Sequence, residues 1–374
     1  MATRREVLKG TGWAAAATLL PRVAPAVAPP RVLVDWHSHY VSEAEIRFLA
    51  TRERAPRLLK AEDGTTLLDN VDTASAAAGT PGAFSRSDLA ARLQQLDDSG
   101  IERQLLTHTV AMGFDASLSV EELRPLYRAF NDELATVVAR YPTRFLAVAA
   151  LPTADPVWAA TELGRAHRDL GFIGGSLPLN AFASRRSAQT LAPLFAEAQK
   201  HGSHLFIHRA SASSLLPDQP PVVIPDDTGY ARWKLINNAH LAAGGITLGL
   251  TDFLDPYPDV SVEIVMLAGF TPYLVDTWIE AGRSTGVKDP LARLRRVYFD
   301  TGPYAARAAD WVALAAGKIG ADRILFGTDF GVGGGARGAI APALARLDAA
   351  LTPQQRQLIY IDNSRQLLKS KGRI

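Results

Sequence analysis

Eight short runs of aliphatic and β-branched residues, separated by amphipathic segments, constrain the fold of this 374-residue chain most strongly. The runs are Arg31–Val34, Arg103–Thr107, Arg144–Ala150, Phe172–Ser176, His204–Ile207, Val260–Leu267, Arg296–Phe299 and Arg323–Phe326. Each is continuous rather than alternating, which is typical of strands buried on both faces. Eight such strands alternating with helices predict an α/β fold, a parallel sheet closed into a (β/α)8 TIM barrel.

The segments between the runs have helical periodicity, and a glycine or proline follows each of them closely. The predicted helices are Leu89–Asp98, Leu123–Tyr141, Pro156–Leu170 and Leu191–His201. An open doubly wound sheet is the alternative fold, but a glycine-rich phosphate loop does not follow the first strand. Two long inserts, Thr51–Ser87 and Arg209–Leu235, leave the face at which the barrel strands end. We expect them to form the roof of the substrate pocket.

The N-terminal 28 residues predict an export signal rather than part of the fold. Thr3–Lys9 contains a paired arginine, two apolar residues and a lysine, which is the twin-arginine pattern. The apolar stretch after it is too short to span a bilayer, and Ala24–Ala26 offers a small-x-small cleavage site. We therefore expect residues 1–28 to direct the protein to the periplasm and to be removed, leaving residues 29–374 as a single barrel domain. A disordered arginine-bearing tail is the alternative.

Composition narrows the partners and the metal ligands. The net charge is only +2, and without the signal segment it becomes slightly negative. Because no basic stripe with interleaved aromatic residues remains, we expect no nucleic-acid partner and no stable membrane insertion. The chain has no cysteine, so disulfides and thiolate chemistry are excluded and any metal ion must be held by nitrogen and oxygen atoms.

Three histidines and one aspartate stand where barrel strands end. His37 and His39 are two residues apart at the end of the first strand, so their side chains point the same way. His208 ends the fifth strand and Asp329 the eighth, and the first and eighth strands are neighbours in a closed barrel. We expect all four to meet around one divalent ion. Three imidazoles and a carboxylate suit zinc best, with manganese or iron as alternatives.

The motifs around these residues resemble the amidohydrolase-2 family and, within it, the 2-amino-3-carboxymuconate-6-semialdehyde decarboxylase group. The resemblance covers residues 34–367. It is carried by Asp35–His39, Asn131–Ala135, Tyr141–Phe145, Glu162–Leu163, Leu170–Phe172, Phe206–His208, Asp255–Asp259, Tyr298–Thr301 and Arg323–Asp329. It implies the barrel, a divalent metal ion held by the four residues above, and in many relatives the non-oxidative removal of a carboxylate from an aromatic or conjugated acid. Relatives are often homodimers.

One departure from the family pattern affects the chemistry. Relatives usually end the sixth strand with a histidine that acts beside the metal ion, in a His-x-Gly-Gly-like turn. Here the stretch reads Ile264–Pro272, and Leu267 is expected where that histidine would be. An aliphatic side chain neither transfers a proton nor binds a metal ion. The inherited decarboxylase mechanism is therefore weakened, whereas the fold and metal site are unaffected.

Further residues are candidates for the substrate site or for support of the ligands. Asp35 and Asp300 are expected to support the metal ligands. For Asp300, substrate binding is the alternative. His108 could line the pocket in place of the missing histidine, or pack in the core. Arg209 could bind a substrate carboxylate or form a loop salt bridge. Phe270 could form an aromatic wall or pack within its loop.

Three functions follow from this site, and Asp329 and His208 are its expected catalytic residues. The first is decarboxylation of a small-molecule carboxylate, with Asp329 passing a proton to the carbon that loses carbon dioxide. The alternative is hydrolysis of an ester, lactone or amide, in which Asp329 passes the proton to the leaving group. The third is a metal- or ligand-binding protein without turnover. Family resemblance favours decarboxylation.

Overall fold

A parallel eight-stranded sheet closes on itself in the computed structural model of the chain. The structure describes residues 31–70, 82–109, 113–221, 228, 231–284, 286–331 and 340–374. The predicted export signal lies outside these residues. The barrel strands, called the first to the eighth below, are Val32–His39, Ile101–Thr107, Phe145–Ala150, Gly174–Pro178, His204–His208, Ser261–Ile264, Tyr298–Asp300 and Ile324–Leu325. Each strand pairs in parallel with the next one along the chain.

Hydrogen bonds between the first strand and the segment after the eighth close the barrel. The Trp36 amide donates to the Phe326 carbonyl at 2.9 Å, and the His39 amide donates to the Phe330 carbonyl at 2.7 Å. Between them the Asp329 amide donates to the His37 carbonyl at 2.8 Å. The predicted TIM barrel is confirmed, and its closure places Asp329 directly beside the first strand.

Helices surround the barrel and pack their apolar faces onto it. The α-helices are Glu43–Ala50, Leu89–Ser99, Phe114–Ser117, Val120–Arg140, Pro156–Arg168, Arg185–Gln189, Ala192–His201, Ala231–Gly249, Thr271–Ser284, Pro290–Leu294, Tyr304–Arg307, Ala309–Ala315, Ile340–Ala350, Pro353–Gln357 and Asn363–Ser370. Shorter 3-10 or π turns are Leu179–Phe182, Met266–Ala268, Ala316–Gly320, Ala321–Arg323 and Leu358–Asp362. Within the described residues, no helix combines the length and apolar character needed to cross a membrane.

The longest helix shows how local sequence sets an element's position. Val120–Arg140 begins three residues before the predicted start, because Ser119 and Glu122 form a capping box that satisfies the first amide groups. Its buried residues recur every three or four positions and include Leu123, Leu126 and Phe130. Burying this face stabilises the barrel by removing apolar surface from water.

The first insert, predicted as part of the roof, contains a small antiparallel sheet of its own. Its strands are Arg57–Lys60, Thr66–Asp69 and Gly82–Ala83. The second insert is described only up to residue 221, at residue 228, and again from the start of the helix Ala231–Gly249.

The end of the sixth strand differs from its prediction. The apolar run Val260–Leu267 is a strand only over Ser261–Ile264. Met266, Leu267 and Ala268 then adopt positive φ angles of 56°, 54° and 49°, in the left-handed region that costs an L-residue roughly 1–2 kcal/mol. The chain therefore leaves the barrel through a tight left-handed turn.

Candidate metal centre

His37, His39, His208 and Asp329 meet at the carboxyl end of the barrel. One ligand atom from each lies within 4.8 Å of all the others. His37 Nε2 and His39 Nε2 are each 3.2 Å from Asp329 Oδ1. The His39 and His208 ring centroids are 4.7 Å apart, and His37 is 5.2 Å from each of these rings. The predicted convergence of the four side chains is present in the structure.

Each imidazole is oriented by an acceptor on its Nδ1 side. His37 Nδ1 lies 3.1 Å from Asp300 Oδ1, His39 Nδ1 donates to the His108 carbonyl at 3.2 Å, and His208 Nδ1 donates to the Arg209 carbonyl at 3.0 Å. A proton on Nδ1 leaves the lone pair on Nε2. All three histidines therefore present an Nε2 lone pair to the same point.

The donor set fits a divalent cation. Three imidazole lone pairs and a carboxylate oxygen would repel one another unless a cation lay between them, and buried His37 Nε2 has no hydrogen-bond partner. Burial lowers the pKa of His39 and holds the pKa of His208 well below its usual value, so both are neutral ligands. Burial also opposes the charge on His37, but Asp300 and Asp329 raise its pKa well above the usual value. The four residues form a site for one divalent metal ion.

Asp329 differs from the other three ligands in exposure and backbone. Its side chain is 26% exposed, whereas those of His37 and His39 are fully buried. Its φ of 62° places a non-glycine residue in the left-handed region, and such strain clusters at functional sites. Although burial alone would raise its pKa, His37 and His39 hold the pKa of Asp329 well below the usual value. Asp329 is therefore an ionised carboxylate on the open side of the site.

Asp35 supports the ligands through the backbone. Its two oxygens accept four hydrogen bonds, from the His37 amide, the Gln104 side chain, and the amide and hydroxyl of Thr328. These bonds connect the first, second and eighth strands next to His37 and Asp329. Burial nevertheless raises the pKa of Asp35 to about 6.

Asp300, which ends the seventh strand, contacts His37 directly. Its Oδ1 accepts from the Met266 amide at 3.0 Å as well as from His37. Two glycines make room for this pair. A Cβ on Gly327 would lie 2.6 Å from His37 Cβ, and one on Gly302 would lie 3.3 Å from His37 Nδ1.

His108 packs against other side chains. Its ring lies 5.0 Å from Tyr127 and 5.8 Å from Phe130, and its Nδ1 is 4.0 Å from Glu45 Oε1. Burial and the neighbouring His39 lower the pKa of His108 to about 3, so this imidazole carries no proton to donate at neutral pH. Its contribution to the site is the backbone carbonyl that accepts from His39.

Arg209 and Phe270 take part in aromatic contacts. The Arg209 guanidinium lies 5.0 Å from the centroid of the Trp233 ring, at the start of the helix Ala231–Gly249. The contact joins the two ends of the second insert. Phe270 packs 6.3 Å from Trp311, and Trp311 also contacts Tyr273 and Tyr304.

At the sixth strand, Met266 is the residue that the structure places beside the ligands. Its Cγ is 3.2 Å from the position of a Cβ on Gly302, the same point that lies 3.3 Å from His37 Nδ1. Leu267 is fully buried in the left-handed turn. Leu267 was expected next to the metal site, and its neighbour Met266 is the residue whose side chain lies close to Gly302. Hydropathy gave no signal for it, because both residues are apolar.

Comparison with known proteins agrees with this architecture. The Amidohydro_2 model of the amidohydrolase family matches residues 34–369. The chain belongs to this family. It is similar to the gamma-resorcylate decarboxylase of Rhizobium radiobacter, with 30% identity over 258 residues that cover 64% of this chain and 75% of that one.

Two further similarities bear on the group and on the fold. The 2-amino-3-carboxymuconate-6-semialdehyde decarboxylase of Dictyostelium discoideum is 30% identical over 117 residues, covering 31% of this chain and 32% of that protein. The 5-carboxyvanillate decarboxylase of Novosphingobium aromaticivorans, solved with manganese and 4-hydroxy-3-methoxy-5-nitrobenzoic acid, has a TM-score of 0.63 and 18% identity, covering 90% of this chain and 96% of that one. The family prediction is confirmed.

Proposed function

We propose that this protein is a metal-dependent decarboxylase that removes carbon dioxide, without oxidation, from a hydroxylated aromatic carboxylic acid. The observation that carries the proposal is a complete site of three histidines and one aspartate, in which the carboxylate of Asp329 is partly exposed. The relatives compared above act on resorcylate, carboxyvanillate and a carboxymuconate semialdehyde, which supports a conjugated carboxylate as the substrate.

The reaction breaks the bond between the ring carbon and the carboxylate and places a proton on that carbon. When bound, the metal ion polarises the substrate's oxygen atoms and stabilises developing negative charge. Asp329 is the group in this chain that passes on the proton, because it combines contact with the ligands and exposure to the pocket. Since Asp329 is ionised in the free site, it must first accept a proton from water or from an acidic group of the substrate before it gives one to the ring carbon. His108 is a neutral imidazole packed against Tyr127 and Phe130, and Met266 has no ionisable group, so neither takes this role. Proton transfer by a positioned carboxylate contributes about 10²–10⁴ in rate.

Arg209 is the proposed partner of the substrate's anionic group. It follows the ligand His208 directly, and its guanidinium is held over Trp233 without a salt bridge to any of the described residues. A guanidinium held by a ring face retains donors for a carboxylate or phenolate oxygen. Trp233 then offers an aromatic surface next to the substrate ring.

Zinc is the proposed ion, because three imidazoles and one carboxylate are its usual ligand types. Manganese is the alternative supported by the ion in the related carboxyvanillate enzyme. Metal analysis of purified protein, followed by reconstitution of the chelated protein with each ion, distinguishes them. The native ion is the one that is found in the purified protein and that also gives the higher rate after reconstitution.

A substrate panel tests the reaction. Metal-loaded full-length protein is incubated with 2,6-dihydroxybenzoate, other hydroxybenzoates and muconate-type acids, and carbon dioxide release is measured. The expected result is release that depends on metal and is lost in Asp329→Asn. Cleavage of esters, lactones or amides without carbon dioxide release would instead establish the hydrolase alternative. Ligand binding without either activity would establish the binding-protein alternative.

The export signal is a separate proposal that rests on the sequence of residues 3–26. A twin-arginine signal exports folded protein, so the ion could be bound before export. Expression with Arg4 and Arg5 both replaced by lysine should retain the protein in the cytoplasm. Unchanged periplasmic recovery of this variant would refute the signal.

A further inference from the structure

A chain of buried polar side chains crosses the barrel interior beneath the metal site. Glu263 on the sixth strand and His204 on the fifth are both fully buried, and Glu263 Oε2 lies 2.8 Å from His204 Nε2. On its other side His204 Nδ1 is 3.1 Å from Ser261 Oγ. The Glu263 carboxyl also lies within hydrogen-bonding reach of Asp300, the residue that contacts the ligand His37.

The hydrogen bonds of this chain can be accounted for atom by atom. In the tautomer of His204 with its proton on Nε2, His204 donates to Glu263 Oε2 and Ser261 donates to His204 Nδ1. Asp300 Oδ1 accepts from the Met266 amide and from His37. Two buried oxygens, Glu263 Oε1 and Asp300 Oδ2, have no hydrogen-bond partner of good geometry, although Asp300 Oδ2 also lies 3.0 Å from His37 Nδ1.

One proton shared between the two carboxyl groups gives both Glu263 Oε1 and Asp300 Oδ2 a hydrogen-bond partner. Two buried carboxylates side by side cannot both remain ionised, because each raises the cost of charge on the other. Burial, and then Asp300, raises the pKa of Glu263 well above its usual value. Burial lowers the pKa of His204 well below its usual value, so His204 is a neutral donor rather than a cationic partner.

We propose that Glu263 is a positioning residue for the metal ligand His37: as a neutral carboxyl group held by His204, it donates a hydrogen bond to Asp300 and fixes that carboxylate as the acceptor of His37 Nδ1–H. Glu263 does not touch the substrate and acts through Asp300. The inference rests on the metal site and not on the proposed reaction.

The consequence is a preorganised ligand. A carboxylate that accepts from the far nitrogen of a metal-bound histidine fixes the ring's orientation and raises its basicity, and loss of such a partner typically costs about 10–100-fold in metal affinity. Without a donor from Glu263, Asp300 would keep only the Met266 amide and His37 Nδ1 as donors. Asp300 would then be free to rotate, which weakens its hold on His37.

Three substitutions at Glu263 test the proposal. Glutamine is isosteric with a protonated glutamate, so Glu263→Gln keeps a donor for Asp300 and an acceptor for His204. Glu263→Leu removes both. Glu263→Asp retains a carboxyl group but draws it back by one methylene, and it serves if Glu263→Leu does not fold. Glu162→Gln is the matched control, because Glu162 is an equally buried carboxylate whose partners, Asn131, Arg128 and Arg165, include no metal ligand.

The measurement is the dissociation constant for Zn²⁺, obtained by competition between the apo full-length protein and a chromophoric chelator, with circular dichroism to confirm folding. We expect about 10–100-fold weaker binding in Glu263→Leu and Glu263→Asp, and binding within about threefold of the wild type in Glu263→Gln and Glu162→Gln. Weak binding in Glu263→Gln would overturn the neutral-donor assignment. Unchanged binding in Glu263→Asp or Glu263→Leu would overturn the positioning role.

The outcome is separable from that of the proposed function. If the wild type binds Zn²⁺ and the Glu263 series behaves as expected, the inference holds even where no acid is decarboxylated. If carbon dioxide is released but the series shows no change in affinity, the proposed function holds and the inference fails.

Discussion

The two sides of the barrel mouth are built in different ways. Where the first, seventh and eighth strands end, His37 contacts two carboxylates, those of Asp300 and Asp329. Gly302 and Gly327 leave space for these side chains because they have no Cβ. Where the sixth strand ends, three apolar residues with left-handed backbone angles, Met266–Ala268, turn the chain away. The first side brings four ligand atoms within 4.8 Å of one another. The turn on the second side, Met266–Ala268, contains no titratable side chain.

The difference indicates that the metal site is complete without a titratable side chain in the turn after the sixth strand. The ligands and their supporting carboxylates do not depend on a titratable group in Met266–Ala268, the turn that follows the sixth strand. Proton transfer then depends on Asp329, the one ligand with an open face. Left-handed strain is present on both sides, at Asp329 and at Met266–Ala268, which indicates that the surrounding structure imposes both conformations.

The largest effect is expected from removing the proton carrier. Asp329→Asn keeps one oxygen ligand but cannot transfer a proton, so kcat for decarboxylation should fall by about 10²–10⁴ while the fold is retained. Stopped assays of carbon dioxide release measure this. His108→Gln, which should change kcat by less than about threefold, is the control. A rate in Asp329→Asn close to that of the wild type would show that another group transfers the proton.

The next effect tests the close packing on the ligand side. In Gly327→Ala the new Cβ would lie 2.6 Å from His37 Cβ, so His37 must move. We expect a loss of roughly 1–3 kcal/mol in unfolding free energy and weaker metal binding. Gly317→Ala is the matched control, because nothing lies within 4 Å of its Cβ position. Denaturant melts and chelator titrations report both quantities, and equal behaviour of the two variants would contradict the packing argument.

A histidine scan of the sixth-strand turn sharpens the comparison further. Met266→His should fold, bind metal and change kcat by about tenfold in either direction, because position 266 lies beside Gly302 and His37. Leu267→His should mainly reduce stability, since an imidazole buried without a partner costs about 1–3 kcal/mol. Activity and melting temperature separate the two. The reverse pattern would show that Leu267, as first expected, faces the metal ion.

The smallest effect concerns a buried carboxyl group near the ligand side. Burial raises the pKa of Glu45 to about 8, from an ordinary value of 4.5. Between these values the folded protein binds more protons than the unfolded chain, so its stability should fall as pH rises from about 5 to 8. Melting temperatures of the apo protein and of Glu45→Gln across this range test it. The variant should show a shallower decline, and an identical slope in both would remove Glu45 as the cause.

Most of the fold and the four ligands could be predicted from the sequence. The barrel strands are buried on both faces, so their continuous apolar runs are visible, and His37, His39, His208 and Asp329 each interrupt or end such a run. The predicted ends of the strands were less accurate. The sixth run continued to Leu267 in the prediction but to Ile264 in the structure, because apolar residues follow into a turn that only backbone angles reveal.

The hydrogen-bond partners could be predicted only in part. Asp35 and Asp300 were expected near the ligands, and only the structure shows that Asp35 bonds to the backbone while Asp300 contacts an imidazole. Glu263 was missed, although its place inside an apolar strand was a signal, since a buried charge needs a partner. Its partner His204 stood out only as the first residue of the fifth run, because partners on different strands are set by register, which the sequence does not show.

The most direct test of the account is the metal content of purified full-length protein and of His208→Ala, measured by inductively coupled plasma mass spectrometry. The account predicts one divalent ion per wild-type chain and less than about a tenth of that in the variant, with an unchanged circular dichroism spectrum. Equal metal content in the two proteins would show that these residues do not share an ion, and the proposed chemistry would lose its foundation.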